Sequence, residues 1–110
     1  MPDFCYTVHT RGAAAGFQQT IPAREGKRTA IAFVDIGNVG GFPASSYLTF
    51  KSGDVVVYEW DLSTAGNPFL IRDFTTPFAG QVGEQMVITV PAAVGAVLTE
   101  LTVGYLHLDD

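Results

Sequence analysis

The chain has 110 residues, 47% of them hydrophobic and 15% charged, and a formal net charge of −5. That length makes one domain, residues 1–110, able to build a core without metal or disulfide. The acidic balance excludes a protein that wraps nucleic acid, and a single cysteine, Cys5, excludes an intrachain disulfide.

The charge is uneven. Residues 1–55 hold five basic and four acidic side chains, whereas residues 56–110 hold only Arg72 against seven carboxylates. No apolar run is long enough to cross a bilayer as a helix, so no membrane partner is expected. Met1-Pro2-Asp3 lacks the basic start and apolar stretch of a secretory leader, and cytosolic production is expected.

Asp3–Thr10 alternates Phe4, Tyr6 and Val8 with Cys5, Thr7 and His9, which predicts a first strand or an extended arm within residues 1–15. Arg11–Gly16 reads as a small-residue connection. Gly16–Pro22 predicts a short strand ended by proline, and Ala23–Lys27 a turn. Arg28–Ile36 is strongly β. Strict alternation puts Ile31 and Phe33 on one face and Ala32, Val34 and Ile36 on the other, the pattern of a central strand. Gly37–Pro43 predicts a loop. Ser45–Lys51 and Val55–Leu62 predict a hairpin about Ser52-Gly53-Asp54. Pro68–Phe74 predicts a shorter strand and Thr75–Gly83 a long connection.

Gln85–Val90 and Leu98–Leu108 close the series. In the last run Thr99, Leu101, Val103 and Tyr105 alternate with Leu98, Glu100, Thr102 and Gly104. No run has convincing helical periodicity. About eight short strands predict an all-β, antiparallel β-sandwich of jelly-roll type. Ile31, Phe33, Val34, Leu48, Val87, Ile88, Leu101 and Val103 are its expected core.

Groups that carry chemistry are sparse. His9 and His107 could join Cys5 as metal ligands only if the terminal strands pair, and no close ligand spacing announces such a site. Cys5 and His9, four apart on a strand, are separated by roughly 13 Å, too far for proton transfer. Asp35-Ile36-Gly37-Asn38-Val39-Gly40-Gly41 is not followed by a helix, so it does not make a dinucleotide loop. Glu59 and Asp61 share a strand face and read as solvated. Arg24, Lys27 and Arg28 around Glu25 read as a solvated turn. Ser52-Gly53-Asp54 has too few oxygens for calcium. No catalytic residue, metal or cofactor is expected.

The aromatic residues remain. Tyr58 and Trp60 share one face of a strand that Val56 should extend. This is a core row or, in an alternative reading, the platform of a receptor- or carbohydrate-binding module. Phe42, Phe69 and Phe78 lie beside Pro or Gly in or near expected connections, which makes them candidate subunit contacts.

The order of motifs carries a resemblance. Thr20-Ile21-Pro22-Ala23-Arg24-Glu25-Gly26-Lys27-Arg28 precedes a hydrophobic strand, followed by Lys51-Ser52-Gly53, Pro77-Phe78, Gly83-Glu84-Gln85-Met86-Val87-Ile88-Thr89-Val90 and a closing Leu101–Tyr105. Over roughly residues 17–106 this resembles the small β-sandwich modules of tailed bacteriophages that serve as head decoration, head fibre or tail accessory proteins. The resemblance implies a non-enzymatic virion role, most simply decoration and stabilisation of the outer head surface. It implies production in the host cytoplasm, assembly with itself as a homotrimer, and docking on the major capsid protein or another virion protein. The extended start could add a strand to a neighbour.

Overall fold

The computed structural model describes residues 6–12, 16–37, 42–43, 46–62, 69–92 and 99–109, with Phe69 described by its backbone alone. Among these residues there are eight strands and no helix. The strands are β1 (Tyr6–Gly12), β2 (Phe17–Ile21), β3 (Lys27–Gly37), β4 (Tyr47–Ser52), β5 (Val55–Asp61), β6 (Phe69–Ala79), β7 (Met86–Val90) and β8 (Thr99–Asp109). They form two four-stranded antiparallel sheets with orders β1-β8-β3-β6 and β2-β7-β4-β5. The all-β, antiparallel sandwich expected from the alternation is the observed architecture.

The pairing is nested: β1 with β8, β2 with β7, β3 with β6, β4 with β5. The chain is in effect one long antiparallel hairpin rolled so that every connection except β4–β5 passes between sheets. Its apex is Gly53-Asp54, where Gly53 takes a φ of 58°. That left-handed geometry carries no Cβ penalty in glycine and matches the twist of a two-residue hairpin.

The core lies between the sheets. One sheet supplies Ile31, Val34, Ile36, Leu101 and Val103; the other supplies Ile21, Leu48, Phe50, Met86, Ile88 and Val90. All are essentially inaccessible to solvent. Six of the eight expected core residues are among them. Phe33 and Val87 are not, and the reason is pleating.

On β3 the register against β8 shifts between Ile31 and Phe33, leaving Ala32 as an extra residue. A bulge of one residue reverses the phase of everything after it. Val34 and Ile36 therefore join Ile31 on the inner face, and Phe33 turns outward. Its ring lies over Gly104, its β8 partner, where an added Cβ would overlap the ring. Val87 stands opposite Lys51 and Thr20 on the outer face of the second sheet.

A second shift, between Phe50 and Lys51, leaves Val57 extra on β5. Val57 packs against the core while Val55 and Val56 are about half exposed. Val56 therefore does not extend the face of Tyr58 and Trp60, as simple alternation predicts. The third irregularity is on β6. Ile31 pairs with Phe78 but Phe33 with Asp73, so Phe74, Thr75, Thr76 and Pro77 together stand opposite Ala32. The expected connection from Thr75 is thus strand as far as Ala79. Pro77 is tolerated because β6 is an edge strand, where a missing N–H breaks no ladder.

At the start of the chain, Arg11 and Gly12 belong to β1 rather than to a connection. The proposed arm is, over Tyr6–Gly12, a strand paired with the chain's own β8 from Tyr6↔Tyr105 to Gly12↔Thr99. Val8 packs against the core from this strand. Residues 1–5 and 13–15 lie outside the described residues.

Gly104→Ala should destabilise the protein by about 1–3 kcal/mol, because the methyl meets the Phe33 ring. In urea unfolding, Phe33→Ala should relieve much of that loss, giving a coupling well above experimental error in a double-mutant cycle. Additive losses would contradict the stacking of Phe33 on Gly104.

Candidate functional site

The two sides of the sandwich are closed in different ways. On one side the edge strands β1 and β2 meet, and the Thr10 hydroxyl donates to the Gln19 side-chain oxygen across the gap. On the other side β5 and β6 meet through aromatic rings. Phe50 of β4 and Phe78 of β6 make an edge-to-face pair at 5.1 Å between centroids. Tyr58 of β5 stacks on Phe78 at 4.8 Å and meets Phe74 edge-on at 5.3 Å. Phe74 and Phe78 close the cluster at 4.9 Å. Such contacts add about 0.5–1.5 kcal/mol each beyond their buried area.

Arg72 caps the cluster. It stands opposite Val34, whose side chain faces inward, and its guanidinium carbon lies 5.8 Å from the Tyr58 ring centre and 5.6 Å from that of Phe74. The guanidinium lies over both rings, where their quadrupoles attract the cation.

This arrangement accounts for several aromatic candidates. Tyr58 and Trp60 do share a face, but it is the inner face, and both rings pack against the core instead of forming an open platform. Phe78 lies in a strand, not a connection, and its ring is engaged by three others. Phe42 also packs against the core. Phe69 opens β6, and its side chain lies outside the described residues. The large apolar side chain that β6 presents to solvent, among its described residues, is Ile71, on the outer face opposite Asp35, with 70% of its surface accessible. Alternation along Leu70-Ile71-Arg72 would have identified it, had the strand been placed at an edge.

The histidines are not brought together. His9 faces outward on β1, its Nδ1 2.7 Å from the Thr102 hydroxyl. His107 faces inward at the far end of β8, within 3.5 Å of the Thr29 hydroxyl. Cys5 lies outside the described residues. Among the described residues no three His, Cys, Asp or Glu side chains converge as metal ligands. Glu59 and Asp61 face outward on β5 and are exposed. Asp54 and Glu84 border a shallow cleft between the β4–β5 turn and the β6–β7 connection, with Gln81 and Gln85 beside them.

The basic turn is partly occupied. Lys27 bonds Asp109 and Arg11 bonds Glu100 (Nη2 to Oε1, 2.6 Å), and these bonds hold both carboxyls below their ordinary pKa. Arg28 donates to the Gly80 carbonyl. Arg24 is different: it borders a groove at the mouth of the sandwich, of about 300 Å³, shared with Tyr6, Ile21, Pro22, Tyr105 and His107. Tyr6 and Tyr105 lie 5.7 Å apart with rings inclined at 33°, and His107 contacts both. Burial, then the charges of Arg24 and Lys27, push the His107 pKa below its ordinary value.

No protein-family model matches the chain, and no curated protein matches it.

Phe78→Ala should cost about 3 kcal/mol of folding stability at every protein concentration, since it empties the aromatic cluster. A stable fold that merely dissociates would show instead that the ring serves a subunit contact. His107 sets a pH dependence. Its folded pKa lies below the ordinary 6.5, so the unfolded chain binds the proton more readily. Its contribution to stability is full above about pH 6.5 and is lost as pH falls through the folded value. Urea midpoints measured from about pH 8 down to about pH 5 should fall, and His107→Asn should flatten that fall.

Proposed function

We propose that the protein is a non-enzymatic virion structural subunit of a tailed bacteriophage, a decoration protein that stabilises the outer surface of the head. It would be made in the host cytoplasm and incorporated into the virion. In this reading it assembles with itself as a homotrimer and docks on the major capsid protein or a neighbouring virion protein. The nested strand pairing supports a jelly-roll reading of the sandwich, and the motif order from Thr20 to Tyr105 supports the phage module.

The observation that carries the assembly is the free edge at β6. An open edge strand offers unpaired backbone groups to another chain, and soluble monomers usually blunt such edges with charge. The β6 edge carries Arg72, Asp73 and Pro77 as such blunting devices, yet beside them Ile71, a β-branched side chain, is exposed over most of its surface. A cyclic oligomer would cover it without disturbing the core. Phe42 and Phe78 have core neighbours that explain their positions, so Ile71 replaces them as the side chain on which assembly is tested.

Sedimentation of the wild-type protein should give a trimer. Ile71→Lys should shift it to monomer with an unchanged β-sheet circular dichroism spectrum, and should weaken binding to heads stripped of the protein. A wild-type protein that stays monomeric at high concentration and does not bind stripped heads would sink the proposal.

A further inference from the structure

We propose that the groove between β1, β8 and the β2–β3 turn binds an acidic saccharide, its pyranose ring resting on Tyr6 and Tyr105 and its carboxylate held by Arg24. Three features carry the inference.

The first is the rings. Tyr6 keeps 56% of its surface exposed although it belongs to the inward-facing row of β1. Tyrosine rings offer wide contact area with little conformational freedom to lose on binding. The 33° inclination between Tyr6 and Tyr105 gives a splayed surface. A puckered sugar fits such a surface through its C–H face, whereas a flat base is better held between parallel rings.

The second is the charge. Among the described residues no carboxylate pairs with the Arg24 guanidinium, while Lys27 beside it is engaged by Asp109. A planar guanidinium suits a carboxylate in two-point contact, and one such group matches a ligand of a single negative charge. The cation sits at the basic corner of a chain whose net charge is −5, so attraction to an anion is local to this mouth.

The third is the polar lining. His107 has its Nδ1 beside the Thr29 hydroxyl, which leaves Nε2 for a sugar hydroxyl. Ile21 and Pro22 supply the apolar floor on the opposite side. A concave site with apolar walls and a few convergent polar groups is the usual form of a small-ligand site. The groove lies on the β1 side of its sheet and Ile71 on the β6 side, so saccharide binding and assembly can fail independently.

The test uses the full chain with methyl β-D-glucuronide, methyl β-D-glucoside and adenosine monophosphate as probes, followed by NMR of the ring resonances. The glucuronide should produce saturable shifts at Tyr6, Tyr105 and His107, with the glucoside weaker by about tenfold. Arg24→Gln should abolish that preference while leaving the spectrum of the core unchanged. Tyr6→Ser should weaken both sugars alike. The proposal is overturned if no probe gives saturable shifts in these rings, if the nucleotide binds more tightly than the glucuronide, or if Arg24→Gln keeps the preference.

Discussion

The requirement that each sheet present one continuous apolar face to the other governs this structure, and the bulge at Ala32 is what satisfies it. β3 is interior to its sheet, flanked by β8 and β6. Without the extra residue Phe33 would point into the core, and Val34 and Ile36 would point to water. With it, three consecutive inward positions go to Ile31, Val34 and Ile36. The displaced phenylalanine is accommodated on the outside by a glycine on β8, so the bulge and Gly104 form one structural unit. Val57 performs the same rephasing on β5.

The two open sides show how differently a sandwich can be sealed. At the β5–β6 side, large rings from three strands fill the gap, and an arginine covers what they leave exposed. At the β1–β2 side, among the described residues, the Thr10–Gln19 side-chain hydrogen bond spans the sheets and the Phe17 ring of β2 lies against Gly12 of β1. Toward the Tyr6 end the seal is incomplete: Tyr6, Tyr105 and His107 all belong to one sheet, and they face Ile21 and the β2–β3 turn across the groove. That difference is why a groove exists at one mouth while the opposite side is packed. The surface polar groups contribute mainly charge placement. Arg11–Glu100 and Lys27–Asp109 are exposed pairs of small energetic worth; of the cations of the basic turn, Arg24 is the one that borders the groove.

Much of the fold was legible from alternation and turn residues. All eight strands lie close to their expected positions because Gly, Pro and short polar clusters punctuate the chain clearly. The failures share a cause: a period-two pattern carries no mark where a bulge interrupts it. Phe33 and Val34 exchange faces for that reason, and so do Val56 and Val57. The sequence makes β6 look short because Thr75-Thr76-Pro77 resembles a connection until the strand is known to be an edge. The site was less legible. Tyr6, Arg24, Tyr105 and His107 come from three separate parts of the sequence, and only the nested pairing brings them to one mouth. Phe78, by contrast, stood out as an aromatic beside proline, but its neighbours Phe50 and Tyr58 are set by contact between sheets that no local pattern encodes.

The nested pairing also has a consequence for the order in which the molecule can form. β1 finds its partner in β8, with His9 and Thr102 separated by 93 positions. β2 must wait for β7, and β3 is flanked only when both β6 and β8 exist. The β4–β5 hairpin is the one pairing available from adjacent segments, and each further pair encloses a longer loop. Topologies dominated by such distant contacts fold slowly, on the order of milliseconds to seconds. On a ribosome, neither sheet can be completed until the final third has emerged. Until then β1 and β3 present unsatisfied edges, so the nascent chain depends on its closing strand to become a protein at all.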